Sequence, residues 1–170
     1  MPASKPQSRT VFMIEIVEDD GDWSDLPDAE AAIGDAAAAA AVAPVLTGRG
    51  GAVSVALSSD EAVADLNGRF RGKPKPTNVL SFPAGSGGDE DFLGDIVLAQ
   101  ETVAREAREQ GIPLRHHVQH LVVHGILHLL GYDHVTAADA EQMEALEIEI
   151  LSALGIENPY TGALETGLDE

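Results

Sequence analysis

Three of the chain's six histidines fall within one short stretch, His124-Gly125-Ile126-Leu127-His128-Leu129-Leu130-Gly131-Tyr132-Asp133-His134, at intervals of four and six. Residues four apart on an α-helix lie one above the other, so His124 and His128 can aim their imidazoles at one point and share a metal ion. A third ligand on the next turn would point away, so the chain must leave the helix and return. Gly131 provides the exit. Glycine accepts the left-handed conformation that commonly ends a helix, and His134 can then approach the same point from the other side. Three neutral imidazoles leave coordination positions open, as catalytic zinc sites do. Structural zinc sites are usually closed by a fourth protein ligand, often cysteine, and this chain has no cysteine.

This spacing matches that of the HExxHxxGxxH peptidases at every position but one. Gly125 stands where their general-base glutamate belongs. A peptidase needs that carboxylate to take a proton from water and pass it to the leaving amine, and glycine can do neither. The expectation is a zincin-like metal helix that carries a different chemistry, with a zinc peptidase or amidase as the rival enzyme. His117 and His120 lie on the same helical stripe as His124. They could extend the metal site or relay protons to it; because three ligands already suffice, they are read as partly exposed or hydrogen-bonded. Asp133 either orients an imidazole from behind the ligands or only caps its loop.

The elements that must position these residues follow from the pattern of the chain. At 170 residues and 17.8 kDa, one domain is expected, large enough to bury about two thirds of its unfolded surface. Val11–Val17 reads as a first strand, closed by the acidic turn Glu18–Asp22. A helix follows from Asp28 through six consecutive alanines, Ala36–Ala41, with Pro44 bending or ending it. Ala52–Leu57 reads as a second strand, and Ser58 with Glu61 as a capping box for a short helix to about Asn67. Pro74 and Pro76 should hold the next segment extended. Asn78–Phe82 and Leu93–Leu98 read as strands on either side of a glycine-rich loop, Ala84–Asp91. Helices are expected over Gln100–Gln110, from Leu114 or Arg115 through the metal motif, and over Ala137–Leu154. The last is expected to turn Met143, Leu146, Ile150, Leu151 and Leu154 inward and its glutamates to solvent. Trp23 is read as a packing residue. The fold class is therefore α+β: one domain over residues 1–156, a four-stranded mixed sheet covered by about five helices, then a short acidic tail over 157–170.

A formal net charge of −19 with a pI near 4.4 opposes nucleic acid at long range. The distribution reverses part of that. No acidic residue lies between Asp65 and Asp89, a gap that holds Arg69, Arg71, Lys73 and Lys75, four of the ten basic residues. In isolation this would be a solvated loop; beside a metal motif it is a local basic surface. No segment approaches the roughly 18 apolar residues of a membrane span, and the start MPASKPQSRT is polar. The expectation is a soluble cytoplasmic protein with no membrane partner.

Several segments together resemble one family, the YbeY endoribonucleases. They are Leu66-Asn67 with Phe70-Arg71, Pro76-Thr77-Asn78-Val79-Leu80-Ser81-Phe82-Pro83, Leu93-Gly94-Asp95-Ile96, the histidine stretch, and Met143-Glu144 with Leu154-Gly155. Together they span Asp65 to Tyr160 in order. The resemblance implies a single-strand-specific, metal-dependent endoribonuclease that matures the 3′ end of small-subunit ribosomal RNA and takes part in ribosome quality control. Its partners would be the small ribosomal subunit and assembly factors. It carries the metal ligands onto His124, His128 and His134, with one zinc per chain, and a functional arginine onto Arg71. Arg71 would bind the scissile phosphate, while Arg69, Lys73 and Lys75 would follow the flanking RNA backbone. The departures are phenylalanine at Phe70, where tyrosine is usual, and the glycine-rich insert after Pro83. A ribosome-assembly factor whose metal only fixes the fold is the non-enzyme rival.

Overall fold

A computed structural model of the chain describes residues 11–84 and 91–160. The elements run β1 (Phe12–Glu18), α1 (Ala29–Ala41), β2 (Gly51–Ser58), α2 (Asp60–Arg71), β3 (Val79–Pro83), β4 (Phe92–Ala99), α3 (Gln100–Gln110), α4 (Leu114–Leu129) and α5 (Ala137–Ala153). One short 3-10 turn, Pro44–Leu46, follows α1, where the proline stops the alanine run. The expected α+β order and mixed four-stranded sheet are what the chain forms. The strand order is β1-β2-β4-β3, with β1, β2 and β4 parallel and β3 antiparallel on the edge beside β4. Among the described residues no helix is long and apolar enough to cross a membrane.

The sheet is covered unequally. On one face a large core joins Val53, Val55, Ile96 and Leu98 to α1, α4 and α5. On the other, Val63 of α2 closes a smaller cluster with Leu80, Val97 and Ala99. Strand β4 is thus buried on both faces through Ile96–Ala99, which is why it reads as a continuous apolar run. The alanines of α1 have a packing role. Ala32, Ala36, Ala37 and Ala40 are buried, and their small side chains let α1 lie close along α4, where the Gln119 amide donates to Ala32 O at 2.9 Å. Helix α4 is buried along nearly its whole length, as its apolar sequence requires.

Two local expectations are corrected. The cap of α2 is Ser59, whose hydroxyl accepts from Ala62 N at 3.1 Å. Ser58 still belongs to β2 and donates its hydroxyl to Asp19 Oδ2 at 2.7 Å. Helix α2 also continues past Asn67 to Arg71, because the first residue that ends it is Gly72, in the left-handed conformation at φ 72°. Arg69 and Arg71 therefore sit in the last helical turn, while Lys73 and Lys75 occupy the exposed segment that carries Pro74 and Pro76.

Gly94 fixes how the edge strand meets the metal helix. The register between β2 and β4 slips here, with Ala52 opposite Phe92 but Val53 opposite Gly94, a bulge in β4. Gly94 has φ 145°, and a Cβ on it would lie 2.3 Å from Phe82 O and 2.8 Å from Leu129 Cδ2. The backbone of β3 and the last turn of α4 thus close over a position without a side chain. Gly94→Ala should therefore cost about 2–5 kcal/mol, from unfavourable backbone conformation and overpacking together. Urea denaturation measures it, and a loss below about 1 kcal/mol would show that the close approach is not required.

Candidate metal centre

The turn predicted after the second histidine forms by a defined hydrogen-bond pattern. Gly131 has φ 103°, Gly131 N donates to His128 O at 3.0 Å, and Tyr132 N donates to Leu127 O at 3.0 Å. These are the two bonds of a Schellman ending, which satisfy carbonyls that a helix terminus leaves open. Arg49 adds a third donor from the loop before β2. Its Nη2 donates to Leu130 O at 2.6 Å, placing a cation at the negative end of the helix dipole.

The reversal brings the three histidines together. One ligand-capable atom from each of His124, His128 and His134 lies within 4.8 Å of the others. The ring centroids are 4.6 Å apart for His124 and His128, 5.3 Å for His128 and His134, and 5.8 Å for His124 and His134. His124 is buried, His128 half-buried and His134 exposed, so the centre is anchored on the core side and open on the other. His124, His134, Met143, Glu147 and Tyr160 line a cleft of about 260 Å³.

The side chain that fixes this geometry comes from α5. Glu147 is fully buried. His124 Nδ1 donates to its Oε2 at 2.6 Å, His120 Nε2 donates to its Oε1 at 2.9 Å, and the Tyr160 hydroxyl donates to Oε1 as well. Burial pushes the Glu147 carboxyl up, but the hydrogen bonds it accepts from His120 and His124 outweigh that and hold the group down to about 2. Burial pushes His120 down and keeps the ring neutral, while burial and the charge of Glu147 push the Tyr160 phenol up, so it remains a donor. An ionised carboxylate only accepts, so Nδ1 of His124 is the nitrogen that carries a proton, and Nε2 is the one left to offer a lone pair to a cation. That Nε2 is buried and has no hydrogen-bond partner. A buried acceptor oriented by a carboxylate, facing two further imidazoles, fits a borderline divalent cation.

Glu147 and Tyr160 were not anticipated. Only Glu141 and Glu149 of α5 are exposed as expected; Glu144 is half-buried and Glu147 lies in the core. The signal was its position, since Met143, Glu147, Ile150 and Leu151 share one helical stripe. Tyr160 returns to the site from the segment after α5; residues 161–170 of the expected tail, and residues 85–90 of the glycine-rich loop, lie outside the described residues. His117 and His120 are hydrogen-bonded and buried, and the metal cluster does not include them. His117 Nε2 donates to Glu106 Oε1 at 2.8 Å, and Asn78 donates to the same oxygen at 3.0 Å. Asp133 Oδ1 accepts from Val135 N at 3.2 Å, a cap within its own loop. Trp23 packs against the core and donates to Ser58 O at 3.1 Å.

The basic residues lie on and beside the end of α2. Arg71 Nη2 donates to Ser81 O at 2.9 Å, and its guanidinium carbon lies 5.6 Å from the centroid of Phe82. It is thereby fixed to β3, the strand that meets the last turn of α4 at Gly94. Arg69 pairs with Asp65 at 3.6 Å on the exposed surface. Lys73 and Lys75 are exposed.

Gly125 shows why the peptidase glutamate has no counterpart. A Cβ there would lie 2.8 and 2.9 Å from Ile96 Cδ1 and Cγ1, on the sheet side of α4. The position is a contact between helix and sheet. Fold and site together define an α+β protein whose three clustered histidines could hold a metal ion, outside the peptidase pattern.

The chain belongs to the endoribonuclease YbeY family, whose model matches residues 26–155. It is 50% identical over 145 residues to an endoribonuclease YbeY of a Bradyrhizobium species, covering 81% of this chain and 86% of that one. It is 46% identical over 175 residues to that of Dinoroseobacter shibae, covering 94% and 96% respectively. A solution structure from Thermotoga maritima matches with a TM-score of 0.51 and 26% identity, covering 88% of this chain and 100% of that one.

Two outcomes follow from this geometry. Glu147→Gln removes the charge behind His124 and should weaken metal binding about 10–100-fold in chelator competition, with Tyr160→Phe causing a smaller loss. Unchanged affinity in Glu147→Gln would remove the carboxylate's orienting role. Gly125→Glu should lower the melting temperature and yield no chelator-sensitive casein hydrolysis, because its side chain starts against Ile96; a stable variant that cuts casein would overturn that placement.

Proposed function

We propose that this chain is a zinc-dependent endoribonuclease that cuts single-stranded RNA, acting in the cytoplasm on the 3′ end of small-subunit ribosomal RNA together with the small subunit and its assembly factors. The observation that carries the metal-dependent part is the buried, carboxylate-oriented Nε2 of His124 facing His128 and His134. Family membership supports the RNA substrate.

His124, His128 and His134 would hold the ion. When bound, it would supply Lewis acidity at the phosphate and make nearby water more acidic. Glu147 keeps His124 in one tautomer and orientation. Arg71 binds the scissile phosphate through its planar fork and stabilises the charge that develops there; the bond to Ser81 O and the contact with Phe82 hold its plane in advance. Arg69, Lys73 and Lys75 neutralise flanking phosphates.

Purified protein of known metal content should cleave single-stranded RNA, spare duplex RNA and casein, and stop on chelation. Intact RNA with metal present would overturn the proposal, as would cleavage of casein. Arg71→Ala should lower the single-turnover rate by about 3 kcal/mol, on the order of a hundredfold, with unchanged metal content. Arg71→Lys keeps the charge without the fork and should recover only part of the rate. If Arg71→Ala cleaves no worse than Lys73→Ala, Arg71 belongs to the basic surface and has no catalytic role.

A further inference from the structure

Phe70 is a large apolar side chain that α2 leaves exposed. Val63, Asn67 and Phe70 follow one another along a single stripe of the helix, and Val63 and Asn67 are buried. Phe70 is 63% exposed, beside the edge strand β3. Its ring meets Phe82 edge-to-face, with centroids 5.7 Å apart. Arg69 lies 5.5 Å from the Phe70 ring, and Arg71 lies 5.6 Å from Phe82. Two aromatic rings and two guanidinium groups therefore lie together, with Asp65 at 3.6 Å from Arg69 as an exposed acidic neighbour. A ring held by an edge contact beside cations is suited to an anionic polymer that also presents flat apolar faces. Unpaired RNA has both, whereas a duplex hides its base faces in the stack.

We propose that Phe70 is a stacking platform for one unpaired nucleobase of the RNA substrate, with Arg69 beside it for the adjoining phosphate. This rests on the endoribonuclease reading. It also gives that reading a physical origin for single-strand preference, since a paired base cannot leave its stack without an energetic cost.

Single-turnover cleavage of one unstructured RNA, with increasing protein, tests the proposal in the full-length chain loaded with its metal. Phe70→Ala should raise the half-saturating protein concentration about tenfold, with little change in the maximal rate. Phe70→Trp should match or improve on wild type. Phe70→Leu should behave like alanine, because it keeps apolar bulk but lacks a ring face. The salt dependence of half-saturation should be unchanged in all three and flattened in Arg69→Ala and Lys73→Ala. Circular dichroism checks folding, which an exposed position should not disturb. Wild-type saturation in Phe70→Ala overturns the platform, and so does rescue by leucine, which would mark an apolar contact. Cleavage by wild type with either result leaves the endoribonuclease reading standing; absence of cleavage and binding in wild type overturns both.

Discussion

The candidate metal centre depends on a buried negative charge. An isolated carboxylate taken out of water costs several kcal/mol, so Glu147 is tolerable only with partners, and it has three: His124, His120 and Tyr160. The interaction works in both directions. Glu147 determines which nitrogen of His124 carries the proton, and the imidazoles keep Glu147 ionised within the core. Because α5 supplies the carboxylate and α4 supplies the imidazoles, the packing of these helices also aligns the centre. The segment after α5 is fastened to it through one phenol.

The remaining parts of the frame bring separate strands and loops to that helix pair. Gly131 turns the chain so that His134 faces back, and Arg49 satisfies the carbonyl that the turn leaves open. Gly94 lets β3 approach the last turn of α4, which carries His128 and Leu129. Arg71 is fixed to β3 at Ser81. The arginine and the histidines, far apart in sequence, are thus related through one edge strand.

The order of elements was legible because each had its own signal: apolar strands, an alanine run stopped by Pro44, and histidines spaced for a helix and a reversal. The end of α2 is less legible in sequence, because Pro74 and Pro76 mark an extended segment while the helix is ended by Gly72 in the left-handed conformation. Its cap cannot be assigned from sequence to within one residue, because Ser58 and Ser59 offer the same hydroxyl. Only the sheet shows that Ser58 remains paired in β2 and gives its hydroxyl to Asp19. Glu147 was harder. Glutamate is nearly always solvated, and its partners lie 23 and 27 residues away on another helix, so no local pattern joins them. Its place on the stripe of Met143 and Ile150 was the one available sign.

The net charge of −19 and an RNA substrate are compatible once distance is considered. At physiological salt the Debye length is about 8 Å, so acidic groups farther than that from a bound strand are largely screened. Arg69, Arg71, Lys73 and Lys75 lie along one short run of chain, and in the proposed role they would act at contact distance. A small basic surface on an acidic body should neutralise few phosphates, and non-specific affinity rises with their number. Long duplexes, whose main attraction is their phosphate density, gain little from such a surface. A single strand can add base stacking and the metal centre to the same few ionic contacts. In the proposed function, weak general attraction would favour unpaired RNA, and the acidic exterior would be part of that selectivity.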